Sequence, residues 1–247
     1  MKHELTPVVV VTGSSGSIGK AIVAIFQSNN YKVIGLDRHT DMNVDYFLLT
    51  NLNEFAEDQF VRQQILDKIS EYLSPNYKLF AVINNAAEQL LNKTEDLSYQ
   101  DWQQTLNVNL TAPFLLIQGL LRELIEGQGS VINIGSIHQK LTKPRFVAYA
   151  TSKAGLVGLT QSLAVDLAGK IRVNCISPAA VETPMLQSGF PNAEDYQQLK
   201  DIHPVGRIGF ATEIAEMVYF LASEKAGFIN GANIEIDGGI GHVLKDL

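Results

Sequence analysis

The chain has 247 residues, 46% of them hydrophobic, which is enough apolar mass for one large domain with a full core. Its formal net charge is -7, with 19 Lys plus Arg against 26 Asp plus Glu and no basic run, so neither nucleic acid nor an anionic membrane is an expected partner. The single cysteine, Cys175, excludes an intrachain disulfide and, inside the apolar run VNCIS, reads as a buried, inert thiol.

Taken in chain order, MKHELTPVVVVTG leads straight into a β-branched run, with no apolar leader and no stretch of about 20 apolar residues, as expected of a soluble cytoplasmic protein. PVVVVT, YKVIGLD, KLFAVIN, GSVINIGS and IRVNCIS predict five strands. Helical periodicity lies between them over residues 18–28, 54–73, 98–126 (interrupted around 109–113), 146–168 and 212–222, and a last strand falls near 233–236. The strand runs are apolar throughout, as strands covered on both faces require. Their alternation with helices predicts a single doubly wound α/β domain over 1–247, with a parallel sheet and helices on both faces. Residues 183–209 are polar, carry Pro184, Pro191 and Pro204 and show weak periodicity, which suggests a long excursion that could serve as a substrate lid.

Three motifs carry chemistry. TGSSGSIG, at 12–19, lies between the first strand and a helix, where glycines permit a tight turn and helix N–H groups favour a pyrophosphate. Gly13, Gly16 and Gly19 fit that role, although their spacing is not the usual Gly-x-Gly-x-x-Gly. Asp37 ends the second strand about 20 residues later, where a carboxylate can accept ribose hydroxyls and repel a 2'-phosphate. This favours NAD over NADP, with Arg38 as a possible offset and a mere loop cap as the alternative for Asp37. Finally, Tyr149 and Lys153 are four apart on one predicted helix, so they share a face. An ammonium near a phenol favours the phenolate, making the tyrosine usable as a general acid or base. Ser136, at the end of a buried strand, could there hold a carbonyl oxygen as charge builds on it.

Together these motifs resemble the short-chain dehydrogenase/reductases in their shorter form, over nearly the whole chain. NNAA at 84–87 is similar to the family's Asn-Asn-Ala-Gly, which steadies the central sheet, and NVNL carries the family's active-site asparagine at Asn109. The resemblance implies hydride transfer between nicotinamide and a carbinol or carbonyl carbon. Tyr149 would move the proton, Ser136 would hold the substrate oxygen, Lys153 would bind the nicotinamide ribose and lower the phenol pKa, and Asn109 would anchor a water chain to Lys153. It further implies cofactor contacts from Gly13, Ser15, Ser17, Ile18, Gly19, Asp37, Asn51, Leu52, Asn85, Ala86, Ala87, Tyr149, Lys153, Pro178, Val181 and Thr183. Homotetramers are implied as well. The chain departs from the family at Ala87 and Ala179, where glycine is common, and at Asn51, where an aspartate usually contacts adenine.

His138, two residues after Ser136, is a candidate substrate contact together with Ser136 and Tyr149, or else a solvent-facing loop residue. Lys140, Lys143 and Arg145 form a basic cluster that would either be solvated or steer an acidic substrate. The remaining histidines, His3, His39, His203 and His242, have no metal-ligand spacing, and no metal is expected. The resembled family also contains 3-oxoacyl-acyl-carrier-protein reductases using NADP, whose acidic partner needs basic residues at the mouth. Here Glu126, Gln128, Val165 and Asp166 stand in the corresponding stretches. The expectation is therefore an NAD-dependent dehydrogenase of a small sugar, polyol or hydroxy acid. The 3-oxoacyl reductase is the alternative, and a noncatalytic NAD-binding regulator a remote one.

Overall fold

The computed structural model describes residues 5–40, 42–73, 76–190 and 192–244. The β-branched run near the front forms β1 (Thr6–Thr12), in which Val8, Val9, Val10 and Val11 are all fully buried. Successive strand side chains point to opposite faces, so four consecutive buried valines need cover on both sides. Val8 and Val10 pack with Leu116 and Ile117 on one face, while Val9 and Val11 pack with Ile22, Phe26 and Ile214 on the other.

Six more strands align with β1: β2 (Lys32–Asp37), β3 (Tyr46–Leu49), β4 (Tyr77–Asn84), β5 (Ser130–Ile134), β6 (Arg172–Pro178) and β7 (Asn233–Ile236). Every pairing is parallel, in the order β3-β2-β1-β4-β5-β6-β7. This is the expected Rossmann-type sheet. The winding reverses between β1 and β4, which leaves a crevice beyond their carboxyl ends.

The helices are α1 (Ser17–Ser28), α2 (Leu52–Glu57), α3 (Gln59–Leu73), α4 (Tyr99–Leu106), α5 (Ala112–Gly119), α6 (Leu121–Glu126), α7 (Val147–Asp166), α8 (Pro184–Ser188), α9 (Ala193–Asp201) and α10 (Ala211–Ala222). α1 and α10 supply one layer; α3, α5 and α7 contribute to the other.

Three expectations are corrected. The helix read over 54–73 is two, because Asp58 takes an extended backbone (φ -104°, ψ 114°) and its carboxylate accepts from the Phe60 and Val61 N–H groups, starting α3 afresh. The interruption within 98–126 is a π-helical turn, Asn107–Thr111, placed slightly earlier than expected, and Pro113 sits in the first turn of α5, where proline is tolerated. The excursion at 183–209 contains two helices that its weak periodicity did not indicate: Thr183 caps α8 and Asn192 caps α9 through their side-chain oxygens. Both helices are short and polar, so periodicity could not reveal them. Pro191 lies outside the described residues.

Candidate active site

A cleft of about 890 Å³ opens beyond the carboxyl ends of β1, β4 and β5. At one end lies the glycine turn. Gly13 has φ +67°, and a Cβ there would stand 2.9 Å from Ala86 Cα; a Cβ on Gly19 would run into the Gly13 carbonyl oxygen. These two glycines are required by the turn's own packing. Gly16 is different, since a Cβ there meets nothing closer than 3.5 Å. It caps α1 without any side-chain acceptor for the first-turn N–H groups, and Ser15, Ser17 and Ile18 line the cleft beside it. Uncapped N–H groups at the positive end of a helix dipole fit a pyrophosphate.

Asp37 accepts the Ser15 N–H at 3.0 Å on one oxygen and the His39 N–H at 2.9 Å on the other. Each carboxylate oxygen keeps a further lone pair, so capping the turn and accepting ribose hydroxyls are compatible. Arg38 is drawn off to Glu88, with Nη1 2.9 Å from Oε2. Asn51 follows β3 and caps α2, accepting the Asn53 N–H at 3.0 Å; with Leu52 it lines the cleft.

The NNAA segment is tied down on both sides. Asn85 Nδ2 donates to the Thr12 and Gly13 carbonyls, and the Asn85 and Ala86 N–H groups donate to Thr12 Oγ1, all at 3.0 Å. Asn84 Nδ2 donates to Asn133 Oδ1 at 2.8 Å, and Asn133 Nδ2 to Thr160 Oγ1 at 2.9 Å. This buried polar chain runs from β4 through β5 into α7.

At the other end, Ser136 follows β5 while Tyr149 and Lys153 lie on successive turns of α7, and all three line the cleft. Lys153 is 2% exposed; its Nζ donates to the Ile134 carbonyl at 2.7 Å and lies 5.7 Å from the Tyr149 ring centroid. Burial lowers its pKa from 10.5 to about 8. Burial also raises the Tyr149 pKa, against a smaller pull from the neighbouring Ser136 hydroxyl. In this structure burial is the dominant influence on the phenol, and the Lys153 ammonium, 5.7 Å from the ring centroid, does not offset it.

Of the residues expected to act at the site, only Asn109 stays out of the cleft lining; Ala87, Pro178, Val181 and Thr183 are all in it. Asn109 is buried in the π-helical turn, where Oδ1 accepts the Glu88 N–H at 2.7 Å and Nδ2 donates to Glu88 O and Ser152 Oγ, both at 2.9 Å. It grips the segment after β4 and the start of α7 from behind. The small residues of α7 have a use here, since a Cβ on Gly155 would stand 2.9 Å from Leu110 Cδ2 in that turn.

His138 faces inward. Its ring stacks on Phe146 at 4.3 Å and meets Tyr149 edge-on at 5.7 Å. Burial first, and the Lys143 charge second, lower its pKa to about 4, so the imidazole is neutral at physiological pH. The basic cluster expected around it is split: Lys140 pairs with Glu235 at 3.2 Å, Arg145 donates to the Leu91 carbonyl at 3.1 Å, and only Lys143 lines the cleft. Phe146, Phe190 and His203 also line it, and nothing in the sequence had singled out the two phenylalanines. His203, set aside on spacing, is 3% exposed with Nδ1 2.7 Å from the Leu199 carbonyl. The expectation for His242 also changes, since it comes within 4.8 Å of Glu235 and Asp237, a set able to hold a metal. Both Asp237 oxygens there already accept N–H groups, from Gly239 and Gly241. His3 lies outside the described residues. Cys175 is fully buried and its thiol is pushed up to about 11, as an inert thiol should be.

A crevice of this kind, with a helix N-terminus at one end and a buried tyrosine and lysine at the other, defines a Rossmann-type NAD(P)-dependent oxidoreductase. Comparison with known proteins narrows the class. The family model described as enoyl-(acyl carrier protein) reductase matches residues 13–241. The 3-oxoacyl-(acyl-carrier-protein) reductase of Buchnera aphidicola is 32% identical over 235 residues, 94% of this chain and 96% of that protein. The NAD-dependent glycerol dehydrogenase of Listeria innocua is 33% identical over 236 residues, 94% and 92% of the two chains. In structure, the aldohexose dehydrogenase of Thermoplasma acidophilum superposes with a TM-score of 0.90 at 28% identity, covering 98% of this chain and 97% of that one. The chain belongs to the short-chain dehydrogenase/reductase family and is an enzyme of the NAD(P)-dependent kind that acts on CH–OH groups. Among the described residues no helix is long and apolar enough to cross a membrane.

Proposed function

We propose that the chain, as a single domain, is an NAD-dependent dehydrogenase of a small hydroxylated compound, a sugar, polyol or hydroxy acid. The observation that carries this reading is the meeting of Ser136, Tyr149 and Lys153 in the same cleft as the uncapped start of α1, with Asp37 beside it. The residues present fit a dinucleotide: Gly16 leaves the cleft floor open, and the free N–H groups of α1 suit the diphosphate. Asp37 and the engagement of Arg38 by Glu88 support NAD over NADP. When bound, the cofactor supplies or takes up hydride.

The chain's own residues would do the rest. Ser136 Oγ holds the substrate oxygen, and Tyr149 Oη gives that oxygen a proton on reduction or removes one on oxidation. The buried phenol is protonated at neutral pH, so it is ready as an acid; oxidation requires Lys153 to turn its charge towards it. Asn109 holds α7 and the segment after β4 in register. Residues 183–209, with α8 and α9, would cover the substrate. Val165 and Phe228, 79% and 105% exposed, and the exposed Ala154–Gly158 face of α7 support assembly as a homotetramer, which light scattering tests.

Some sequence relatives, the Buchnera aphidicola 3-oxoacyl-(acyl-carrier-protein) reductase among them, support a second reading, reduction of 3-oxoacyl groups with NADP. Initial rates with NAD and NADP on a polyol, sugar and hydroxy-acid panel, beside an acetoacetyl thioester with NADPH, separate the two. Tyr149→Phe should lower kcat by about 10²–10⁴-fold while leaving NADH binding intact. Turnover that survives this substitution would overturn the proposed chemistry.

A further inference from the structure

Besides the buried Lys153, which donates to the Ile134 carbonyl, the substrate end of the cleft carries one exposed cation, Lys143, without a carboxylate partner among the described residues. Lys143 Nζ lies 4.9 Å from the Phe146 ring centroid and 5.6 Å from that of Phe190, held between the start of α7 and the segment after α8. Among the described residues it has no carboxylate within ion-pair distance, unlike its neighbour Lys140. The acidic residues lining the same cleft, Asp37 and Glu88, are engaged at the other end by N–H groups and by Arg38. Phe146 is 6.0 Å from the Tyr149 ring, so Lys143 Nζ is within about 11 Å of the reacting phenol ring.

A neutral polyol gains little from this arrangement. Its hydroxyls can accept N–H groups from Lys143, but the aromatic walls offer no further hydrogen bonds and the ammonium's charge stays unanswered. An anion answers it through a charge-assisted hydrogen bond, about twice as strong as a neutral one, at an exposed ammonium seated on two aromatic rings at the cleft edge. Building on the dehydrogenase reading above, we propose that Lys143 is the specificity-determining residue that holds the carboxylate of a short hydroxy or oxo acid, whose reacting carbon lies at Tyr149 a few bonds away. The carbon chain lies against Phe146 and Phe190, and the neutral His138 accepts or donates a hydrogen bond without competing for the negative charge.

The test compares hydroxy acids of four to six carbons with their methyl esters, the same skeletons without the charge. Wild-type enzyme should turn over the acids with kcat/KM at least tenfold above the esters. Lys143→Gln should collapse that ratio by about 10–100-fold, and Lys143→Arg should restore most of it. Lys143 is exposed, so folding is checked simply by unchanged NADH binding. A second readout is independent of turnover: butyrate should bind the NADH-saturated protein more tightly than 1-butanol does, and Lys143→Gln should remove the difference. Esters or polyols preferred over acids, or an acid-to-ester ratio unmoved by Lys143→Gln, overturn the proposal and leave the dehydrogenase reading standing. If no alcohol or ketone is turned over, the dehydrogenase reading fails, and butyrate binding still decides the role of Lys143.

Discussion

Replacing Lys153 by methionine separates what the lysine does for chemistry from what it does to stability. Burial holds the native pKa at about 8 against the ordinary 10.5, so the unfolded chain holds this proton more tightly than the folded one. Stability from this residue is therefore full above about pH 10.5 and is lost as the pH falls through 8, the sign expected of a base whose pKa is depressed by burial. At 1.36 kcal/mol per pKa unit the whole effect is about 3 kcal/mol, of which about 1 kcal/mol falls between pH 7 and pH 9. Methionine is of similar length and does not titrate, although it leaves the Ile134 carbonyl without its donor. Urea unfolding of cofactor-free protein at the two pH values supplies the measurement. The wild-type stability should gain on the order of 1 kcal/mol relative to the variant on going from pH 7 to pH 9. Tyr149 and Cys175 are present in both proteins, so their opposing titrations largely cancel in the difference. Parallel pH dependence would refute the idea that the ammonium is held in a desolvated site. Turnover should fall at least 100-fold in the same variant, in line with loss of proton-transfer assistance.

Two further outcomes are expected. Asp37→Ser should shift the NAD-to-NADP ratio of kcat/KM by two orders of magnitude or more towards NADP, and adding Glu88→Gln, which frees Arg38, should contribute about a further fivefold, the value of an exposed ion pair; initial rates with both cofactors check this. Thr160→Val should cost about 1–3 kcal/mol in urea unfolding, because it removes the acceptor of Asn133 Nδ2 inside the sheet and leaves that donor unpaired.

Strands β1, β2, β4, β5 and β6 were legible because they are Val- and Ile-rich runs, largely buried and separated by helix-length segments; β3, YFLL with only Leu48 buried, carries no such run and was not among the expected strands. The glycine turn and the Tyr149–Lys153 pair were legible because each depends on local spacing. What escaped depends on distant partners. The break at Asp58 comes from its carboxylate capping a new helix, and α8 and α9 are too short and polar to show a period. Phe190 reaches the site only because the segment after α8 folds back towards Lys143. The Lys153–Tyr149 spacing was read correctly, but the phenol's pKa is set by how deeply both are buried, which four-residue spacing does not encode.

Cys175 has a use beyond its inertness. It is the only thiol in the chain, it lies on β6, and a Cβ on Gly135 would stand 2.8 Å from its sulfur, so a reagent reaches it only when the central strands part. The unmodified protein thus carries its own chemical clock. The rate at which a thiol reagent labels it reports how often the sheet opens, and any ligand that binds only the closed form slows that clock in proportion to its occupancy.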